Sequence, residues 1–256
     1  MPDAFLHAPF ADLSLVVMFL TISTAYVIFG IAGFGTALVA GPVLVCYMPL
    51  SHAIALLVLL DCVAALGKLV RYHRHVVRSE LVRLLPFMIV GSVAGITVLL
   101  NTHSQALLLM MGCFVTSYAL YMLARPVRQA DLSALWAAPL GIGGGLFGAL
   151  FGSGGFLYAI YLNGRIEAKV KASSTQSTLI GISTLLRLGM LTLAGVYADF
   201  TLLVTAIYLL PAMVIGLWIG GHINLKMSRD AFTRLINLIV LVSGITLICR
   251  AYVGGI

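Results

Sequence analysis

Long runs of apolar residues, separated by short polar linkers, make up nearly the whole of this chain. A run of about 20 apolar residues is enough for one helical crossing of a hydrocarbon core about 30 Å thick. The linkers are too short to form a soluble domain, so the pattern predicts a single all-α, polytopic membrane domain. Six runs have the length of one crossing: 53–71, 84–100, 105–124, 172–194, 200–221 and 235–253.

Two further apolar runs, 14–48 and 132–163, are too long for one crossing and are interrupted by glycine. The interruptions read GIAGFGTALVAGP in the first run and GIGGGLFGALFGSGG in the second. Non-helical backbone at membrane depth is tolerated only where protein surrounds it or where it lines a wet cavity, since lipid cannot satisfy free N–H and C=O groups. We therefore expect two broken helical hairpins that are buried in the protein.

The two halves of the chain match one another. A shift of 125 positions aligns Pro86 with Pro211 inside a shared P-x4-G-x3-G spacing, and a shift of 119 positions aligns the glycines of the two broken runs. Residues 1–128 and 129–256 therefore form two repeats, each with one broken hairpin and three further spans. The aligned glycines are Gly91 with Gly216, Gly95 with Gly220, Gly33 with Gly152 and Gly35 with Gly154, and Lys68 aligns with Arg187.

Composition and charge predict how the linkers lie relative to the membrane. The chain is 61% hydrophobic and only 9% charged, and its formal net charge of +7 resides in separate short clusters, so we expect no nucleic-acid partner. A hairpin begins and ends on the same side of the membrane, so each half, with one hairpin and three spans, crosses the membrane an odd number of times. This predicts inverted-topology repeats, periplasmic termini and a multi-pass protein of the bacterial inner membrane. By the positive-inside rule the basic linkers 71–83, 125–131, 164–171 and 222–234 are cytoplasmic, whereas 49–52, 101–104 and 195–199 carry no Lys or Arg.

Inverted repeats with glycine-broken helices at matched positions are typical of secondary transporters, which bind substrate near the membrane midplane. Helices that restart after GFG (33–35) and GSGG (152–155) would direct free N–H groups inward, as an anion site requires. The alternative is that these glycines serve close helix packing, for example between Ala37 and Gly41. The match between the two clusters favours the binding site.

Two charged residues lie deep inside predicted spans, away from their ends. Asp61 is near the middle of 53–71, where an acidic residue costs about 2.5 to 3.5 kcal/mol on insertion scales. It is a candidate for proton coupling, and the alternative is a structural partner for a buried cation or for hydroxyl groups. Arg187 is too deep for a linker charge and is a candidate for anion binding, while Lys68 could extend to the interface.

These features resemble the sulfite exporter TauE/SafE family of membrane anion permeases over essentially the whole chain. GFGTALVAGPVL (33–44) is similar to the family pattern G-x-G-G-G-F-x-x-x-P-x-L, with Thr36 and Ala37 where glycines are usual. GSGGFLYAIYL (152–162) keeps the glycines with Tyr161 in place of proline, and KASSTQS (171–177) resembles K-A-x-G-T-S with Ser174 for glycine. The resemblance implies a permease for sulfite, an organosulfonate or another small anion. The candidate substrate-binding residues are Gly33, Gly35, Thr36, Lys68, Gly152, Ser153, Gly154, Gly155, Ser174, Thr175, Ser177 and Arg187.

Other functional classes fit the sequence less well. An intramembrane serine hydrolase built on Ser153 would need a histidine within reach, and every histidine lies in a linker or at the end of a span. A metal-ion carrier would need acidic or histidine clusters in the spans. An anion channel and a carrier of another small anion or a carboxylate stay open. We expect no cofactor, no metal and no catalysis, with the lipid bilayer and a small anion as partners, and a homo-oligomer is compatible with the sequence.

Overall fold

The computed structural model describes residues 12–32, 35–72, 75–102, 104–124 and 132–223, together with 241, 244, 245, 248 and 249. This described part is helical and contains no strand. Gly33, the linker 125–131 and most of the predicted last span, 235–253, lie outside it. Four of the described helices are long and apolar enough to cross a membrane: Ser14–Ile31, Arg78–Asn101, Ala134–Phe151 and Phe200–His222.

The helices follow the predicted runs closely, and the two long runs are each divided in two. Short 3-10 turns, Ala134–Trp136 and Val196–Ala198, precede the helices that begin at Ala137 and at Phe200. The helices are α1 (Asp12–Ala32), α2 (Thr36–Leu44), α3 (Leu50–Tyr72), α4 (Arg78–Asn101), α5 (Ser104–Ala124), α6 (Ala137–Phe151), α7 (Gly155–Asn163), α8 (Lys169–Leu193) and α9 (Phe200–Ile223).

Glycine in the left-handed conformation marks each break. Gly35 has φ 97° and directly precedes α2, and Gly152 has φ 61° and ends α6. A residue with a Cβ rarely adopts this conformation, so the chain can turn there at little cost only with glycine. Because α2 and α7 have nine residues each, at about 1.5 Å per residue neither can cross the membrane alone. We call α1 with α2 hairpin 1, and α6 with α7 hairpin 2.

The three most extensive helix contacts between the two halves stay the same when the halves are exchanged. The first helix of hairpin 1, α1, packs along α9, and the first helix of hairpin 2, α6, packs along α4. The third extensive contact between the halves joins α3 to α8. By the sequence alignment α4 corresponds to α9 and α3 to α8, so each half contributes the same elements to the shared core.

The P-x4-G-x3-G pattern forms the two outer helix contacts. A Cβ on Gly95 of α4 would lie 2.7 Å from the Cβ of Ala149 on α6, and a Cβ on Gly220 of α9 would lie 3.1 Å from the Cα of Gly30 on α1. Added side chains at Gly91 and Gly216 would collide with backbone carbonyls of the same partner helices. The glycines of this pattern therefore permit close helix approach, which is the packing role of small residues in membranes.

Linkers of like charge character lie at the same end of the bundle. The three linkers without Lys or Arg contribute Ser51, Thr102 and Asp199 to one pocket of about 360 Å³, which we call the neutral-end pocket. At the other end, Glu80 accepts hydrogen bonds from Arg83 (2.8 Å) and Arg165 (3.1 Å), so that α4 contacts the linker between α7 and α8. This segregation of charge is what a positive-inside arrangement requires.

Candidate functional site

A small cavity lies where the turn of hairpin 2 faces α3 and α8. It is lined by Asp61 from α3, by Arg187 and Ser183 from α8, by Tyr158 from α7, and by glycines of the hairpin turn. We call it the central cavity. Its volume is about 20 Å³, which is room for one water molecule, since a water needs roughly 10 to 15 Å³ on this measure.

The carboxylate of Asp61 is buried against hairpin 1. Its side chain is 5% exposed. The hydroxyl of Tyr26 on α1 donates a hydrogen bond to Oδ1 at 2.7 Å, and the hydroxyl of Thr36, the first residue of α2, donates to Oδ2 at 3.1 Å. Asp61 therefore connects α3 to both helices of hairpin 1. Its two hydroxyl partners are those predicted by the alternative in which Asp61 has a structural role.

The guanidinium of Arg187 is buried against hairpin 2. Arg187 is 4% exposed, and its Nη1 donates to the carbonyl oxygen of Gly148 on α6 at 2.7 Å. Nη2 donates to the hydroxyl of Thr184 at 3.1 Å, one turn earlier on α8. Within the described part of the chain Nε has no hydrogen-bond partner. A buried guanidinium with a free N–H is suited to bind an anion, because charge-assisted bonds to oxyanions are strong.

The two charges lie on the same cavity and compensate each other. Isolated ionised groups are very costly to bury, and the cost falls when an opposite charge and hydrogen bonds accompany them. Asp61 and Arg187 both line the central cavity. Asp61 has neutral hydrogen-bond partners on hairpin 1, and Arg187 has one on hairpin 2. The sequence places them 126 positions apart (187 minus 61) in different repeats, and the packing of α3 on α8 brings them together.

The turn of hairpin 2 contacts α2 of hairpin 1 beside this cavity. A Cβ on Gly152 would lie 2.7 Å from the Cβ of Ala37 on α2 and 3.9 Å from Nη1 of Arg187. Gly154 and Gly155 also line the cavity. A Cβ on Gly154 would collide with the carbonyl oxygen of Gly144 on α6. Gly154 thus lies on the cavity and also permits the close approach of α6 and α7.

The remaining candidate residues have varied surroundings. Ser153 is fully buried, and within the described part its hydroxyl has no hydrogen-bond partner. Gly35 forms the turn before α2. Lys68 lies on α3 two turns after Asp61, and its side chain is outside the described residues, as is all of Gly33.

The hydroxyl-rich start of α8 does not line the central cavity. Ser174 and Thr175 are buried, and Ser177 is half-buried. The hydroxyl of Thr175 accepts a hydrogen bond from the Val77 N–H at 2.9 Å and donates to the Lys171 carbonyl at 2.8 Å, so it holds the segment before α4. A substrate-binding role for these three residues stays a prediction.

Sequence reasoning missed the face of α8 that meets hairpin 2. Residues three and four apart share a helix face, and this face carries Gln176, Ile180, Ser183 and Arg187. Gln176 donates from Nε2 to the carbonyl oxygen of Gly155 at 3.1 Å, and the other three line the cavity. The sequence did contain a signal for this face, because counting back from Arg187 by four, three and four positions reaches Ser183, Ile180 and Gln176. Tyr26 and Tyr158, the other side chains missed, carry no such signal.

This architecture defines a class of protein: a polytopic, all-helical integral membrane protein with two broken hairpins and a buried, charged cavity. The family model of the sulfite exporter TauE/SafE family matches residues 18–247, and the chain belongs to this family. It is therefore a membrane transporter of the sulfite-exporter type, acting on a small anion within a lipid bilayer, and the resemblance noted in the sequence is confirmed. No curated protein and no solved structure matches the chain.

Proposed function

We propose that this protein is a secondary transporter that carries sulfite or an organosulfonate across the bacterial inner membrane, with the central cavity as its substrate site. The observation that carries the proposal is Arg187, a buried cation with a free N–H beside the turn of hairpin 2. A small oxyanion loses its hydration shell at the midplane, so a full positive charge and several donors must replace that shell.

The helix contacts that stay the same when the two halves are exchanged support an inverted repeat. In such transporters the repeats move relative to each other around a site at their interface. The central cavity lies at this kind of interface, since Asp61 belongs to the first repeat and Arg187 to the second. The segregation of basic and neutral linkers to opposite ends supports the proposed topology, with the basic end in the cytoplasm.

Contacts at both ends of the bundle support an occluded state. At the neutral end, the hydroxyl of Tyr197 donates to the carbonyl oxygen of Ala55 at 3.0 Å, and burial raises the pKa of Tyr197 so that it stays a donor. At the basic end, Tyr161 on α7 donates to Glu80 at 2.7 Å, beside the Glu80–Arg165 ion pair. The cavity of about 20 Å³ is too small for sulfite. Substrate binding therefore requires one of these ends to open.

The experiment that tests the proposal is thermal stabilisation of the purified protein by sulfite, methanesulfonate, acetate and chloride. A ligand that binds only the folded state raises the apparent midpoint of unfolding. We expect sulfite or methanesulfonate to stabilise the protein, and Arg187→Ala to remove most of this stabilisation. Arg78→Ala, which removes an exposed arginine at the start of α4, serves as the matched control.

Two alternatives have distinct outcomes. Stabilisation by acetate alone would favour a carboxylate carrier. An anion channel would pass the ion only down its electrochemical gradient, so accumulation against a gradient in proteoliposomes would exclude it. If Arg187→Ala binds sulfite as tightly as the parent protein, Arg187 is a structural cation and the site must be built elsewhere.

A further inference from the structure

The central cavity is bounded by two opposite charges, and each of them holds one hairpin. Asp61 accepts from Tyr26 and Thr36 of hairpin 1, and Arg187 donates to Gly148 of hairpin 2. Among the described residues, the charged and titratable groups that face Asp61 from other helices are Tyr26 on α1, Tyr158 on α7 and Arg187 on α8. Neutral tyrosines leave Arg187 as the balancing charge.

Charge balance in this cavity limits what can bind. With Asp61 and Arg187 both ionised, the site is neutral, and an added monoanion would leave one uncompensated negative charge in a buried place. A proton on Asp61 restores neutrality. A dianion would leave the site negative even with that proton, so the cavity favours a monoanion that enters together with one proton.

Hydrogen bonding links this balance to movement of the hairpins. An ionised carboxylate accepts from both hydroxyls, whereas a protonated carboxyl has one oxygen that must donate. Protonation of Asp61 replaces one acceptor site with an O–H donor, which weakens the hydrogen bond from Tyr26 or from Thr36. An anion at the free Nε of Arg187 draws the guanidinium charge away from the Gly148 carbonyl, which still accepts from the Gly152 N–H at 2.9 Å and is not left unsatisfied. The proton therefore weakens a contact with hairpin 1, and the anion weakens a contact with hairpin 2.

We infer that transport is electroneutral, with one proton carried in the same direction as one monovalent oxyanion, and that sulfate is excluded because of its second charge. This inference rests on the proposed function. It commits the substrate class to hydrogensulfite or a sulfonate with a single negative charge, because Arg187 is the only ionised cation lining the central cavity among the described residues.

The test is uptake into proteoliposomes, using whichever of methanesulfonate or hydrogensulfite stabilises the protein more, with sulfate as the dianion of similar shape. One proton per monoanion predicts about tenfold accumulation for each unit of pH difference, because a tenfold ratio corresponds to about 1.4 kcal/mol. A potassium diffusion potential of either sign should leave accumulation unchanged. Potential-driven accumulation of the monoanion, or equal uptake of sulfate, would overturn the inference.

Variants separate this inference from the proposed function. Asp61→Asn should lose accumulation driven by pH while retaining exchange of the anion, and Asp199→Asn, which alters an exposed aspartate at the neutral end, should behave as the parent protein. Proton-driven accumulation by Asp61→Asn would contradict the inference and leave the transporter proposal intact. Absence of flux for every anion under every gradient in the parent protein would overturn both. The voltage measurement needs no variant, so misfolding of Asp61→Asn does not weaken the test.

Discussion

At the scale of single residues, the structure gives Arg187 and Asp61 different kinds of partner. Arg187 donates to a backbone carbonyl and to a hydroxyl, and among the described residues the carboxylate that compensates its charge is Asp61, on the same cavity. Asp61 is satisfied by two hydroxyls in addition. An incoming anion therefore finds its attraction at Arg187 and its repulsion at Asp61, which is the physical basis of the coupling we infer.

Arg187→Lys should recover anion binding only in part. The planar guanidinium contacts Gly148 and Thr184 with two nitrogens while Nε stays free, and an ammonium cannot reproduce this fork. Removing one hydrogen bond to a charged group costs about 1.5 to 3 kcal/mol, so Arg187→Lys should bind sulfite about tenfold to a hundredfold more weakly than the parent protein. Calorimetric titration measures this loss, and equal affinity would show that positive charge alone suffices.

Gly154→Ala should destabilise hairpin 2 even before a larger residue closes the cavity. An added methyl group would collide with the Gly144 carbonyl, and overpacking of this kind costs about 1 to 3 kcal/mol. Gly189→Ala on α8 is the control, because a Cβ there meets nothing within 4 Å. We expect a lower unfolding midpoint in detergent for Gly154→Ala alone, and Gly154→Leu should in addition abolish anion binding. Equal midpoints for the two alanine variants would contradict this packing.

At the scale of elements, the long first helices of the hairpins are supported by the helices that carry the P-x4-G-x3-G pattern. Glycine on α4 and α9 lets these helices approach α6 and α1 with backbone nearly in contact. The short helix α2 meets the turn that precedes α7 beside Arg187. Close packing on α9 and α4 thus fixes the long helices of the hairpins, and the hydrogen bonds of Asp61 and Arg187 hold the hairpins at the cavity.

Two adjacent glycines on α9 provide a sharp test of this packing. A leucine at Gly220 would press on the backbone of Val27 and Gly30, whereas a leucine at Gly221 would point into open space. Gly220→Leu should therefore separate α1 from α9 and lower both the unfolding midpoint and transport, while Gly221→Leu should leave both close to the parent values. A larger loss of stability and transport for Gly221→Leu than for Gly220→Leu would show that α9 is rotated relative to its position in the structure.

At the scale of the whole molecule, the segregation of linkers predicts a topology with both termini in the periplasm. The neutral-end pocket is lined by the linkers without Lys or Arg, and at the opposite end Glu80 pairs with Arg83 and Arg165 from two basic linkers. Positive-inside orientation then places the neutral end outside. The even number of full crossings predicted from sequence puts the two termini on the same side.

Cysteine labelling in sealed cells tests this topology. In a background with Cys46, Cys62, Cys113 and Cys249 replaced, an impermeant reagent should modify Ala198→Cys in the neutral linker and spare Arg78→Cys at the start of α4. Both positions are exposed in the structure, so they form a matched pair. Modification of Arg78→Cys together with protection of Ala198→Cys would show the opposite topology, with the basic end outside the cell.

The sequence by itself determined the helices that the structure describes, their breaks and the family. Membrane thickness sets the length of each apolar run, and lipid leaves backbone groups no partner outside helices, so these features are local and can be read directly. The turns at Gly35 and Gly152 lie within the glycine clusters that predicted them. The repeat motif was equally visible, although its role in helix packing required the structure.

Only the tertiary structure decided which polar groups share a site. Tyr26 and Thr36 reach Asp61 from 35 and 25 positions away, and Gly148 reaches Arg187 from 39 positions away. Such contacts depend on how each helix is rotated and where it crosses its neighbours, which no local pattern encodes in helices that are apolar on nearly every face. For the same reason, the density of hydroxyls at the start of α8 drew attention to Thr175, whereas helix rotation directs Ser183 and Arg187 into the cavity.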